Sequence, residues 1–382
     1  LRSVSDDSGA RVQYSWDSAG RLTAVERPAN SLQSRQYHYA EPTHLCRLHN
    51  GAPEAGCDAA QSAQRFPNHL TGITDENGVR TADYTYDSRG RVTQSQHAGN
   101  ANRVSLNYLS ASQVRVTQPE GGSRLYTFST GRFRKLLSSV EETTDDSVTG
   151  TTTHNVNLST FRRNHTVDAR GTRTNYTHDA FRETGRTEAL AANGGTTPLT
   201  RSYSSTWDNT LNRMLTRTEP GRQIRFAYNS RGQATARCEV DLAVPAAVAY
   251  TQCGSAANAP FGVRQTRYTY CEAADASAAG STCPIVGALK SVDGPRVDVA
   301  DVTTYAYHAA TDESGCAQAT GPCHRRGDLH TVTNALGHVT THARYDRAGR
   351  VTRTVDANGV VTELSYHPRG WLLSRTIKGA TA

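Results

Sequence analysis

The feature that most constrains this chain is a short pattern that returns along its length: an aromatic, any residue, a second ring, then Asp or Asn. It stands as Tyr14-Ser15-Trp16-Asp17, Tyr84-Thr85-Tyr86-Asp87, Tyr176-Thr177-His178-Asp179 and Phe226-Ala227-Tyr228-Asn229, and Tyr345-Asp346 keeps half of it. Weaker copies follow at Tyr37-His38-Tyr39, Tyr126-Thr127-Phe128, Tyr268-Thr269-Tyr270, Tyr305-Ala306-Tyr307 and Leu364-Ser365-Tyr366. The steps are 22 from Tyr86 to Tyr108, 20 on to Phe128, 22 from Tyr228 to Tyr250, 20 on to Tyr270, and 21 from Tyr345 to Tyr366. A unit of about 21 residues cannot bury a core of its own, so 382 residues read as a stack of small units rather than two or three globular domains.

Turn chemistry gives the unit its form. Asp17-Ser18-Ala19-Gly20, Asp87-Ser88-Arg89-Gly90 and Asp346-Arg347-Ala348-Gly349 put Asp first and Gly fourth, and Gly232 holds the same place after Asn229. Asp bonds forward onto the turn backbone, and Gly tolerates positive φ. A second set, Asp75-Glu76-Asn77-Gly78, Asp168-Ala169-Arg170-Gly171 and Asp356-Ala357-Asn358-Gly359, precedes the first by about eleven residues. Between the sets lie β-branched and aromatic segments such as residues 79–86, which read as strands. Residues two apart share a face, so Tyr84 and Tyr86 are expected to point the same way and stacked hairpins to carry their rings as a ladder that forms the core. No window sustains helical apolar spacing, and no helix longer than about two turns is expected.

The tyrosine-aspartate turn followed by Gly-Arg, Val or Leu, and Thr, as in Gly20-Arg21-Leu22-Thr23, Gly90-Arg91-Val92-Thr93 and Gly349-Arg350-Val351-Thr352, resembles the YD repeat of RHS proteins. Similar repeats occur in teneurins and insecticidal toxin complexes. The resemblance runs from about Gly9 to Trp371, with degenerate copies at about 136–166 and 188–215. It implies an all-β fold, a repetitive hairpin sheet spiralling as a segment of a shell or tube, which in that family can enclose a C-terminal effector. The family's Pro- and Asp-Pro-containing cleavage motif has no counterpart before Ile377-Lys378-Gly379-Ala380-Thr381-Ala382, so neither cargo nor self-cleavage carries over. Residues 1–382 are read as one continuous array, with loop insertions near 44–60, 238–256, 271–286 and 309–325.

Those insertions hold the eight cysteines as four local couples: Cys46 with Cys57, Cys238 with Cys253, Cys271 with Cys283, and Cys316 with Cys323. The enclosed segments, such as Gly51-Ala52-Pro53-Glu54-Ala55-Gly56, can bury little apolar surface, so a disulfide is the expected means of ordering each. Zinc is the rival at Cys316, Cys323 and His324, but no couple has the close spacing of a zinc knuckle. Four disulfides in an oxidising compartment is the reading taken, extracellular or at the cell surface, with the periplasm also open.

Composition removes several function classes. Net charge is +7, with 39 arginines but only Lys135, Lys290 and Lys378 as lysines, and the arginines are dispersed, often after a turn glycine, as at Gly131-Arg132 and Gly185-Arg186. Dispersed charge of this kind reads as solvated or cross-strand rather than as a nucleic-acid face. No run of 18 apolar residues suggests a membrane span, and the start at Leu1, with Met214 as the one methionine, reads as that of a fragment whose export signal would lie elsewhere. Nucleophile elbow, phosphate loop, zinc-protease and dinucleotide signatures are missing, and the pairs Asp6-Asp7 and Asp145-Asp146 read as solvated. His178-Asp179 and His324 read as structural, and Asp293-Gly294 and the Asp75 turn lack the ligand density of a calcium loop. No catalytic residue, cofactor or metal is expected.

The expected function is a non-enzymatic extracytoplasmic scaffold forming part of a shell that encloses or displays a client, its partners further repeats of the same polypeptide or other copies of itself, with an encapsulated effector domain and glycans left open as further partners. The alternatives are a fibre, sheath or adhesin assembled head to tail, or a surface protein that binds glycans through exposed Tyr and Trp. An array that does not close would leave open edges at Leu1 and Ala382 that seek partners.

Overall fold

The computed structural model describes residues 2–5, 11–26, 34–131, 133–144, 147–318, 320–367 and 370–379. The pairs Asp6-Asp7 and Asp145-Asp146, Arg132, and the ends Leu1 and Ala382 lie outside them.

The described chain is an open, antiparallel meander of 27 strands, mostly five to eight residues long. Each strand pairs with the strand before it and the strand after it, with no crossover, as in Leu70–Thr74 with Arg80–Tyr86, then Val92–His97, then Ala101–Tyr108. The first and last described strands, Ser3–Ser5 and Leu372–Ile377, pair on one side only. The stretches where the repeat letters fade continue the sheet, as Lys135–Thr144, Ser147–Val156 and Arg163–Val167, and later as Arg201–Asp208 and Arg213–Glu219. Among the described residues α-helix is confined to inserted loops. The longest helix, Ala59–Arg65, is started by Asp58, whose carboxylate accepts from the Ala60 and Gln61 amides.

Successive strands alternate direction, so the tyrosine-aspartate turns all lie at one end of the sheet and the second set at the other. Both sets close alike. Asp17, Asp87 and Asp346 each donate their N–H to the residue four ahead and accept from the intervening glycine. Gly20, Gly90 and Gly349 sit at φ of +76°, +74° and +79°, which costs a side chain but not glycine. The Asp carboxylate takes further amides, as Asp87 does from Arg89 and Arg91.

A feature absent from the sequence reading recurs at the aromatic end: a bulge beside the second ring. Thr85 faces Gln94 while Tyr86 faces Val92, leaving Thr93 as the extra residue. The same slip occurs at Ser15/Trp16, His38/Tyr39, Thr127/Phe128, Thr206/Trp207, Ala227/Tyr228, Thr269/Tyr270, Ala306/Tyr307 and Ser365/Tyr366. In the hairpins that carry Gly-Arg-Leu/Val-Thr the extra residue is its threonine, Thr23 or Thr93; elsewhere the place is taken by Thr71, Ser138, Leu215, Thr235, Lys290, His330 or Leu373. A threonine hydroxyl here bonds across the bulge, Thr23 to the Ser15 carbonyl, Thr71 to the His38 carbonyl and Thr93 to the Thr85 hydroxyl.

Three expectations need correction. The ring ladder is not a uniform core: Tyr86 and Tyr345 are 8% and 5% exposed, but Tyr84 and Tyr176 are half-buried and Trp16 is 48% exposed. Tyr250 is not a repeat tyrosine. It follows the helix Pro245–Ala249 inside the Cys238–Cys253 insertion, and its apparent spacing arises because that insertion is about one repeat long. Gly185 is inside the strand Glu183–Leu190, so the turn arginine of that hairpin is Arg182, three residues after Asp179.

Candidate functional site

The repeat's side chains form a latch between successive hairpins. The second tyrosine of one hairpin donates its hydroxyl to the backbone carbonyl that opens the return strand of the previous hairpin: Tyr39 to Leu22, Tyr86 to Leu70, Tyr108 to Val92, Tyr228 to Met214, Tyr270 to Ala234, Tyr307 to Leu289 and Tyr345 to Leu329, at 2.5–3.0 Å. Trp207 does the same through its indole N–H to the Glu183 carbonyl. The accepting residue is itself the strand partner of the previous hairpin's ring, as Leu70 is of Tyr39 and Val92 of Tyr86. Burial pushes the Tyr86 hydroxyl up to about 12, with the neighbouring Tyr84 adding to it, and pushes Tyr345 up as well. These hydroxyls therefore stay protonated and donate.

The turn arginine supplies the second half of the latch. Arg21, Arg91, Arg182 and Arg350 each donate Nε to the turn aspartate of their own hairpin, Asp17, Asp87, Asp179 and Asp346. The guanidinium then lies over a ring of the next hairpin: Arg21 over Tyr39 at 5.3 Å, Arg91 over Tyr108 at 4.2 Å, Arg182 over Trp207 at 5.5 Å and Arg350 over Tyr366 at 5.1 Å. Such a contact contributes about 0.5–1 kcal/mol at exposed sites. Amide bonds from Phe181 and Arg182 hold the Asp179 carboxyl down to about 2, and the Arg21 amide lowers that of Asp17. Of the two readings of this charge, solvated or cross-strand, these arginines take the second, and reach beyond their own hairpin. Tyr14 and Tyr84 sit on the same strands one step inward, opposite Val25 and Ser95, and Gly232 closes the Asn229 turn.

The structure joins Cys46 to Cys57, Cys238 to Cys253, Cys271 to Cys283 and Cys316 to Cys323, with Cα atoms 5.6, 5.8, 5.6 and 4.8 Å apart. Three of the four loops lie at the aromatic end and fold over neighbouring turns. In the first, Glu54 accepts from the Ser88 amide and hydroxyl at 2.6 and 2.7 Å, and the Arg47 amide donates to the Tyr86 carbonyl. In the third, Glu272 holds both terminal nitrogens of Arg231, and the Thr282 carbonyl accepts from the Tyr307 amide. In the fourth, the Cys323 carbonyl accepts from the Tyr345 amide. The second loop lies at the opposite end and packs Ala247 and Cys253 onto Ala236, Cys238 and Val240, with Gln265 buried beneath it and bonded to the Tyr250 hydroxyl.

Among the described residues, no group of three His, Cys, Asp or Glu side chains is arranged to hold a metal ion, and no helix is long and apolar enough to cross a membrane. His178 pairs with Glu183 beside the bulge, and Cys316 and Cys323 are bonded to each other rather than open to a metal.

The RHS Repeat family matches residues 1–31, 68–101, 324–360 and 345–381. No curated protein matches the chain. Among solved structures, the chain is similar to the TcdB2-TccC3-Cdc42 crystal structure, at 13% identity over 97% of this chain and 19% of that one, with a TM-score of 0.46. It is similar also to a Tc holotoxin pore of Photorhabdus luminescens carrying a TccC3 mutation, at 12% identity over 97% and 19%, with a TM-score of 0.45. The chain thus spans about a fifth of the length of those chains.

Proposed function

This chain is an RHS-repeat protein, and from that premise we propose that it acts as wall rather than catalyst, a stretch of extracytoplasmic scaffold in a β-shell that encloses or displays a client. The observation that carries the reading is the latch. The repeat's hydroxyls and guanidiniums are directed at the adjacent hairpin while its carboxylates hold the guanidiniums in place, and each hairpin offers the next an acceptor carbonyl and a cation, so the unit adds indefinitely and encloses by extension. The disulfides favour a compartment outside the reducing cytoplasm. The partners on this reading are further repeats of the same polypeptide and the client itself.

The test is protease protection. The segment is produced within its full-length gene product, and digestion of the remainder of the chain is followed before and after the sheet is opened by denaturant. Protection lost only on opening, with a hollow particle in micrographs, supports the shell. A client cut at the rate of the unfolded chain, or a solid filament without a lumen, refutes it and favours the fibre.

A further inference from the structure

Four histidines meet where the strand Val302–Tyr307, the loop of residues 308–328 and the strands Leu329–Thr333 and Val339–Tyr345 come together. The rings of His308 and His324 lie face to face, centroids 3.7 Å apart and planes 14° apart. His330 lies 4.3 Å from His308, and Tyr345 stands edge-on to His308 at 6.3 Å. His308 Nε2 is 3.4 Å from the His342 carbonyl oxygen. The Nδ1 atoms of His324 and His342 are buried without a hydrogen-bond partner. His330 is the extra residue of its bulge, in the place that Thr23, Thr71 and Thr93 take in other hairpins.

This arrangement suits neutral rings. Flat imidazoles at 3.7 Å attract by dispersion, whereas two imidazolium ions at that separation in a half-buried site repel strongly. Burial holds His308 down to about 4, with His324 and His330 pushing the same way and the His342 carbonyl opposing. Burial also lowers His324, against the pull of Asp312 and Asp328 in the loop, and lowers His342, with His330 adding to it. Of the other charges here, Arg325 pairs with Glu313 at 2.5 Å, Arg326 donates to the Pro284 carbonyl, and Arg344 on the adjoining strand donates to the Gly315, Gln318 and Gly321 carbonyls of the loop, a tie that does not titrate in this range and against which the histidines add the pH-dependent part.

We propose that this histidine stack is an acid-sensitive clasp that holds the Cys316–Cys323 loop onto the sheet when neutral and releases it when protonated. His324 follows Cys323, whose carbonyl accepts from the Tyr345 amide, so release also loosens the hairpin end that carries Tyr345 and its bond to Leu329. The disulfide keeps the loop closed on itself, so it lifts as a unit and reseats when the pH returns. The sign follows from the lowered values: the open form takes up protons first, so the closed form is favoured near neutrality and loses ground as pH falls from 6.5 toward about 4. A single ring with these two values would raise the opening constant about tenfold by pH 5.5. Solvent screening of half-exposed rings shrinks the shift and caps the gain, so about tenfold is expected between pH 7.5 and 4.5.

Hydrogen exchange on the full chain, corrected for the intrinsic effect of pH, reads the opening directly. Residues 308–330 are expected to lose about tenfold in protection between pH 7.5 and 4.5, while residues 242–262, a disulfide loop without histidine, hold theirs. A variant with His308→Phe and His324→Phe keeps flat rings and removes the charge, and its loop should stay protected at pH 4.5. Equal losses in both loops, or the same loss in the variant, overturn the proposal. Should the variant be unprotected even at pH 7.5, imidazole C2 proton shifts of the unaltered protein decide: titration of two or more of these rings well below 6.5, in step with the exchange, supports the clasp, and titration of all four near 6.5 overturns it.

Discussion

Replacing Tyr86 by Phe tests the latch with the least disturbance, because it removes one oxygen and keeps the ring. The hydroxyl donates to the Leu70 carbonyl at 2.6 Å from a residue only 8% exposed. An intramolecular hydrogen bond contributes about 1 kcal/mol net, and a buried acceptor left short costs about 1–3 kcal/mol. The Leu70 carbonyl lies at the opening of its strand, and water entering beside it would satisfy it in part, so the lower half of the range of about 1–3 kcal/mol applies. A loss of about 1.5 kcal/mol, close to a tenfold rise in local opening, is expected. A repeat array does not unfold as one unit, so hydrogen exchange is the proper assay. Residues 70–97 should exchange about tenfold faster while residues 351–366 are unchanged. The Tyr39→Phe variant, whose longer bond of 2.9 Å to Leu22 comes from a half-buried ring, should lose less. Unchanged protection at 70–97, or a loss shared equally with 351–366, would refute the assignment of the hydroxyl as a bond between neighbouring hairpins.

Arg91→Lys keeps the charge but loses the planar group that lies 4.2 Å over Tyr108 and bonds Asp87, so the turn of residues 87–91 should exchange several-fold faster, a cost of about 0.5–1 kcal/mol; no change would mean that charge alone suffices. Cys253→Ser opens a 15-residue loop whose closure is worth about 3 kcal/mol in the chain-entropy model and leaves a thiol buried at Cys238, so it should loosen residues 236–265 more than Cys316→Ser loosens residues 312–328; peptide-resolved exchange with the reverse order would contradict this. The Arg80 side chain bonds Glu41 and holds its carboxyl down to about 2, so that pair contributes fully above pH 4.5 and is lost as pH falls from 4.5 through 2; exchange at residues 41–45 and 80–83 should rise across that window, and in Glu41→Gln the rise should be missing.

What the sequence reveals here is what is local. The hairpin period, the all-β class and the Asp and Gly of each turn depend on residues within about ten of one another, and an unaided reading recovers them. Partners across hairpins are hidden. The hydroxyl of Tyr228 finds a carbonyl 14 residues back and that of Tyr270 one 36 residues back, because the second step contains an insertion. The arginines read as solvated or cross-strand charge without a named ring, because their visible partner is an aspartate three or four residues away while the ring they cover belongs to the next hairpin. Tyr250 was misplaced for the converse reason: spacing cannot distinguish a repeat from a loop of equal length. The histidine cluster joins three rings, His308, His324 and His330, with the backbone carbonyl of His342, and of these only His324 stands out in the sequence, as a candidate ligand.

The bulge explains why the motif runs through Gly-Arg-Val-Thr rather than ending at the turn. In the hairpins named above, an extra residue on the return strand beside the second ring lengthens that strand at the aromatic end and adds right-handed twist locally. Because every such bulge lies on the same strand of its hairpin and at the same end, the added twists accumulate along the sheet instead of cancelling, which is how a long sheet is made to coil. The threonine hydroxyl that bonds back across the gap stabilises the bulged register against the straight one. Where the letters fade the slip remains, with Asn164 between the partners of Asn155 and Val156, and Leu215 between those of Thr206 and Trp207. In these hairpins the slip is kept while the extra side chain changes, although Tyr108 and Val114 pair in straight register. A position free to change chemistry but not geometry is the one at which His330 could enter the sheet and complete a stack of rings without disturbing the pairing of Tyr307 with Leu329.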